Sequence, residues 1–334
     1  MANPEGKFSQ NQPLKTQKLF IGAQIFFRIV AIAASLVSSG LLITNKQAID
    51  IGGLVLDARY SYSPEFKFLA YANIFVAVFS LLSILFLFLV VRQGSNPTHY
   101  FILFLLDLAL MSVVIGGCAA ATAIGFLGKY GNSHTGWMQI CDNFGKFCNR
   151  ATTSVTFSYL SLVQKIEKLQ FELSEMEWDK KGYMIESALA SSWLMMTNKQ
   201  VIDIGGFVLD AKYSYSPEFK FLAYASIVVG VFSFLSIFFL VLVGRQGSNP
   251  AHYFTLFLLD LALLSLVIGG SAAATAIGLL GKHGNTHIGW MQICDQLGKF
   301  CDRAKTCLTL SYLTMICLLV LTITSANKSR QIQV

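Results

Sequence analysis

Phe68-Leu-Ala-Tyr-Ala-Asn-Ile-Phe-Val-Ala-Val-Phe-Ser-Leu-Leu-Ser-Ile-Leu-Phe-Leu-Phe-Leu-Val-Val91 carries no charged side chain over 24 residues. A helix rises about 1.5 Å per residue and needs about 20 apolar residues to cross the hydrocarbon core of a bilayer. This stretch alone therefore predicts a transmembrane helix. The same test finds residues 221–244 and 306–326 free of charge, 19–43 with Arg28 alone, 100–127 with Asp107 alone and 253–280 with Asp260 alone. Six full spans follow. The competing reading, core helices of a water-soluble protein, requires several long uncharged helices in one soluble chain. Composition argues against it: the 334 residues include only 25 Lys+Arg and 18 Asp+Glu. Soluble domains carry charge on about a quarter of their residues. Disorder, a collagen-like fibre and a small disulfide scaffold are excluded on the same grounds. The formal charge is +7, but no long basic run carries it, so nucleic-acid binding has no support. The first apolar run, 25 residues after a polar stretch of 18, is too long for a signal-peptide core and predicts an uncleaved signal anchor.

The chain is written twice. Thr44 to Tyr159 aligns without gaps on Thr197 to Tyr312 at an offset of 153, and 90 of the 116 aligned positions are identical. This is a tandem duplication of a whole unit. Its better-preserved parts reconstruct four spans per unit, with both copies damaged at the seam. The fourth helix of the first copy starts at Ala151 but meets Lys165, Glu167 and Lys168. The first helix of the second copy keeps only Ser187 to Thr197 as an apolar remnant. Between them Ile166, Leu169, Leu173 and Met176 recur at helical spacing among charges, the pattern of an amphipathic helix on a membrane surface. The predicted fold is thus an all-α membrane protein of two tandem four-helix transmembrane units. Helix 4 of the first and helix 1 of the second are truncated, giving six full spans and two partial hydrophobic segments. The predicted organisation is a cytosolic tail (1–18), a first unit (19–163), a charged amphipathic seam (164–182), a second unit (183–326) and a cytosolic tail (327–334).

Basic residues without acidic partners set the orientation. Lys7, Lys15 and Lys18 precede the first span, Arg92 follows the second, and Lys328 and Arg330 follow the last. Both termini are expected in the cytosol. The second loop of each copy, on the opposite side, holds a cysteine pair, Cys141/Cys148 and Cys294/Cys301. Paired cysteines suit an oxidising exterior, so two intraloop disulfides are expected. His134, Cys141 and Cys148 as metal ligands is the competing reading, at spacings unlike common zinc patterns.

Charges inside spans are costly and mark functional or structural sites. Helices 1 and 3 both enter from the cytosol, and the helical rise places Arg28 roughly 13 Å and Asp107 roughly 11 Å deep. An ion pair between them is expected, fixing bundle register or, in the functional reading, belonging to an ion or proton path. Small residues share their faces: Ala31, Ser35 and Ser39 on helix 1, and Gly117, Ala121 and Gly125 on helix 3, a pattern that lets helices approach closely. The second copy keeps Asp260, but Lys181 in the charged seam aligns with Arg28. Whether Asp260 is protonated or paired with a residue from elsewhere stays open. The Ser/Thr set at 152–156 lacks a His–Asp partner, and the glycines at 116–117 and 125 lie inside a span with no phosphate-loop pattern. No catalytic constellation, cofactor or metal is expected, and the chain is not expected to be an enzyme.

These residues carry a resemblance. Four spans, an Arg in helix 1, an Asp in helix 3, the run Ala119-Ala-Ala-Thr-Ala-Ile-Gly125 and the loop Gly131-Asn-Ser-His-Thr-Gly-Trp-Met-Gln-Ile-Cys141 with Phe147-Cys148 resemble the CASP-like proteins of the plant Casparian strip membrane protein-like family, itself distantly MARVEL-like. The resemblance covers nearly the whole chain, twice. It implies a multi-pass plasma-membrane scaffold that pairs with itself and with related CASP-like proteins, as homodimers, heterodimers or larger assemblies. Membrane lipid and cell-wall-modifying enzymes are the further partners it implies, with no nucleic acid. It also assigns Arg28 and Asp107 to the family's intramembrane pair, with Asp260 and Cys294/Cys301 as the second-copy counterparts. A small ion or proton transporter using these charges is the alternative. The chain departs from the family in its double length, its missing second arginine and a first outer loop unlike that of the strip-forming members.

Overall fold

The computed structural model describes residues 14–51, 54–93, 97–166, 178–204, 207–244 and 250–332. The first unit holds α1 (Leu14–Ile43), β1 (Lys46–Ile51), β2 (Leu54–Arg59), α2 (Pro64–Gln93), α3 (Pro97–Tyr130) and α4 (Gly145–Ile166). The second repeats it as α5 (Trp178–Met196), β3 (Lys199–Ile204), β4 (Phe207–Lys212), α6 (Pro217–Gly244), α7 (Pro250–His283) and α8 (Gly298–Ile332). Four helices begin on proline, whose fixed φ and missing N–H suit the first helical position. Within the first unit α1 packs on α2, α2 on α3, α3 on α4 and α4 back on α1; α5 to α8 close the same ring, and α3 against α7 joins the two bundles.

Among the described residues, five helices contain stretches long and apolar enough to cross a membrane: Pro64–Phe86, Leu105–Tyr130, Pro217–Ser236, Phe257–His283 and Gly298–Ile323. The sixth expected span, 19–43, falls within α1, whose described apolar part is the shorter Arg28–Ile43. The two partial segments, α4 and α5, complete their rings although neither is among the five. α5 begins nine residues before the apolar remnant at Ser187, carrying Asp179, Lys180, Lys181 and Glu186 within the helix. The amphipathic seam helix rests on residues 167–177, which lie outside the described residues.

The first loop of each unit is an antiparallel hairpin, a feature the span analysis does not reach. Lys46 pairs with Arg59, Ile49 with Leu56 and Ile51 with Leu54, and Lys199 to Ile204 pairs with Phe207 to Lys212 in the same register. The signal was present: two glycines, 52–53 and 205–206, separate the strands, and such a pair between short runs marks a two-residue hairpin. Ile49 and Leu56 pack on the core. Side-chain bonds fix the hairpin to the cysteine loop. Asn45 Nδ2 donates to Phe147 O (2.9 Å), and Phe147 N donates to Gln47 Oε1 (2.8 Å). Asn198, Gln200 and Phe300 repeat both contacts. Hairpins and cysteine loops therefore share one end of the bundles.

α3 and α7 stop at Gly131 and Gly284, both left-handed (φ 64° and 63°). The Gly131 N–H bonds back to Leu127 O at 2.7 Å, the usual way a glycine satisfies the last helical carbonyls. A Cβ on Gly131 would stand 2.7 Å from Trp137 O. Left-handed backbone costs a non-glycine residue about 1–2 kcal/mol, and this clash adds to it. Gly131→Ala is expected to lower the thermal midpoint of the purified protein in micelles. Gly145→Ala, where a Cβ meets nothing within 4 Å, is expected to leave it unchanged. Equal midpoints for the two variants would contradict the turn geometry.

Candidate functional site

Arg28 and Asp107 meet inside the first bundle. Nη2 donates to Oδ2 at 2.7 Å and Nη1 to Oδ1 at 3.2 Å, a two-pronged contact that matches the guanidinium fork to the carboxylate. Each side chain is only 7% exposed. α1 and α3 stand diagonally in the ring, so the pair crosses the bundle axis, a reach that suits a long arginine. Asp260 takes the equivalent place on α7 and is 1% exposed; the side chain of Lys181, the residue aligned with Arg28, lies outside the described residues.

A polar cluster sits nearer the hairpin end. Ser38 Oγ lies 2.8 Å from Ser154 Oγ and 2.7 Å from Ser158 Oγ, and Asn73 Nδ2 donates to Ser38 Oγ (3.0 Å) and Ser158 Oγ (2.9 Å). One residue from each of α1 and α2 and two from α4 are tied together, all buried. The second unit has Ser226 and Cys307 at the positions of Asn73 and Ser154. It keeps Ser191 to Ser311 (2.7 Å), the counterpart of Ser38 to Ser158, and adds Ser187 to Thr314 (2.8 Å), where the first unit has Ala34 and Ser161. Ala31, Ser35, Ser39 and Ala121 are buried in the first bundle. Gly117 lets α2 come close, since a Cβ there would stand 3.2 Å from Leu69 Cδ1. Gly125 differs: expected as a packing position, it has open space where a Cβ would stand, because it faces a cleft rather than a neighbouring helix.

Cys141 is bonded to Cys148 and Cys294 to Cys301, with Cα–Cα distances of 5.7 Å in both. Each disulfide fastens a loop to the first turn of α4 or α8. His134, weighed above as a metal ligand, instead stacks on Tyr215 with ring centroids 3.7 Å apart.

That stack belongs to a contact surface between the units that sequence reasoning missed. Trp137 Nε1 donates to Met291 O (3.2 Å) and Trp290 Nε1 to Met138 O (3.1 Å). Asn132 Nδ2 donates to Tyr215 O (3.4 Å) and Asn285 Nδ2 to Tyr62 O (3.3 Å). Tyr62 stacks on His287 at 3.8 Å, mirroring His134 on Tyr215, and the two indoles lie 6.1 Å apart. Deeper in the bundle, Cβ positions of Gly116 and Gly269 fall 3.8 and 3.9 Å from Ala272 and Ala119. Every contact recurs at the offset of 153, so the two units use one self-complementary patch, the geometry of a two-fold dimer. Outside it, Lys212 Nζ lies 2.7 Å from Asp210 and Arg59 Nε 2.6 Å from Asp57. The Lys212 hydrogen bond holds the Asp210 carboxyl below its ordinary pKa.

The family model described as the Casparian strip membrane protein domain matches residues 17–164 and 183–317. CASP-like protein 1F1 of Populus trichocarpa is 80% identical over 163 residues, 49% of this chain and 90% of the relative. CASP-like protein 1F2 of the same species is 77% identical over the same shares, and CASP-like protein 1F1 of Ricinus communis is 56% identical. Half of this chain thus corresponds to nearly a whole relative. No solved structure matches.

Removing one partner of a buried ion pair leaves the other charge uncompensated, at a cost of about 3–5 kcal/mol. Arg28→Ala and Asp107→Ala are each expected to destabilise the micelle-solubilised protein by about that much, and the double variant to recover part of the loss. Additive losses in this double-mutant cycle would show that the pair contributes no coupling.

Proposed function

Because the chain belongs to the Casparian strip membrane protein domain family, in two tandem copies, we propose that it is a plasma-membrane scaffold with both termini in the cytosol. It self-associates, pairs with related CASP-like proteins and organises membrane subdomains where cell-wall-modifying enzymes act locally. The observation that carries this reading is the self-complementary patch between the units. Two copies of one four-helix unit recognise each other through paired indole–carbonyl bonds, amide–carbonyl bonds and small-residue helix contacts. Small-residue contacts are the means by which helices associate in lipid. The two disulfides support the orientation, since they stand at the hairpin end, away from the start of α1 and the finish of α8, and oxidised cysteines belong to the exterior.

A second reading, a small ion or proton transporter, is favoured by one observation. Besides the ion pair, the first bundle buries the hydroxyls of Ser35, Ser80 and Ser83 without a hydrogen-bond partner among the described residues. Buried polar groups of this kind accommodate internal water.

Photobleaching of the fluorescently tagged full-length chain in plant cells tests the scaffold. Slow recovery in stable plasma-membrane patches is expected, and rapid uniform recovery would sink the reading. Reconstituted protein tests the second: a proton or ion flux abolished by Asp107→Asn is its expected signature, and flux no higher than that of empty vesicles would end it.

A further inference from the structure

The scaffold reading leaves two clefts unused. The first, about 630 Å³, runs between α3 and α4 beneath the β1–β2 hairpin. Ala121, Ile124 and Val155 form its apolar wall, and Lys129 and Asp142 stand on its rim. Thr122 and Tyr159, whose hydroxyls are 3.2 Å apart, bridge its deep end. The second, about 530 Å³, repeats this between α7 and α8, with Ile277 and Leu308 on the wall and Lys282 and Asp295 on the rim. Thr275 and Tyr312, 2.7 Å apart, bridge it.

Three features point to one kind of occupant. From Phe147 to Tyr159 the cleft follows α4 for about 18 Å by the helical rise, from the hairpin end toward the middle of the bundle. Its wall is apolar, yet side chains of both charge signs line it: Arg59, Lys129 and Asp142 in the first cleft, and Lys212, Lys282 and Lys305 with Asp210, Asp295 and Asp302 in the second. Gly125 lines the first cleft and Gly278 the second; a Cβ on Gly125 would meet nothing within 4 Å, and the nearest atom to one on Gly278 is Leu308 Cδ1 at 4.0 Å. Glycine inside a helix is destabilising relative to alanine, and at Gly125 no close helix contact offsets this. The glycines keep the groove open.

We propose that each cleft binds an acyl chain of a zwitterionic phospholipid from the leaflet at the hairpin end. The phosphate faces Lys129 or Lys282 and the headgroup ammonium faces Asp142 or Asp295. The other unit completes each site: Asn285 and Trp290 line the first cleft, and Asn132, His134 and Trp137 the second. A lipid held by both units stabilises their pairing by linkage. The inference stands on the clefts and does not rest on the scaffold reading.

The full-length protein, reconstituted in phosphatidylcholine vesicles doped with an acyl-chain photoreactive phosphatidylcholine, is irradiated and its adducts mapped by mass spectrometry. Adducts concentrated on residues 121–129, 147–159, 274–282 and 300–312, above those on the lipid-exposed face of α2 at Phe75, Val78, Leu82 and Leu85, are expected. The double variant Gly125→Leu/Gly278→Leu fills both grooves with a better helix former and is expected to lose the cleft adducts while keeping those on α2. Labelling spread evenly over the clefts and α2 in the wild-type protein, or cleft adducts that survive the double variant, would overturn the proposal. The wild-type map decides the matter even where the variant fails to fold.

Discussion

Lipid tails are as apolar as leucine, so a bilayer gives helices no hydrophobic reason to stay together. Each helix satisfies its own backbone, and what holds one helix to the next must come from side chains. The first bundle meets that constraint in three ways. A guanidinium–carboxylate bridge crosses its axis. An asparagine and three serines from α1, α2 and α4 share hydrogen bonds. At Gly117 the absence of a side chain lets α2 lie against α3. The hairpin end lies where water is present, and there amide side chains at 45 and 47 take over by bonding to the backbone of the cysteine loop.

The two units keep the same shell and differ inside it. Hairpin register, loop disulfide, glycine turn and hairpin-to-loop bonds recur at the offset of 153. The interiors differ in which positions are polar: Ser226 replaces Asn73 and Cys307 replaces Ser154, while Ser187 replaces Ala34 and Ser271 replaces Cys118. In the second bundle α5 and α8 are joined by hydroxyl pairs at 187 and 314 and at 191 and 311.

Much of this was legible in the sequence, because run length and a constant offset are one-dimensional signals. The spans follow from counting uncharged residues, and the common depth of Arg28 and Asp107 follows from the helical rise. What escaped depends on three dimensions. The hairpins are short and carry Asp50 and Asp57, so apolar patterning hides them, and only the Gly-Gly pairs mark them. The patch between units was invisible because Trp137 and Asn132 read identically in both copies, and identity does not say which surfaces face each other. Small residues on one helix face looked alike, yet Gly117 lies against α2 while Gly125 faces an open groove. α5 begins ahead of its apolar remnant because a run of charge ends an apolar span without ending a helix.

The tether between the units changes the arithmetic of their association. Separate units would find each other at a rate set by how many copies share the membrane. Joined in one chain, they meet at an effective concentration fixed by the connecting segment rather than by abundance. The pair then persists however sparse the chain is, and its self-complementary patch is occupied from within. Any larger array must grow from other faces, by two units at each step.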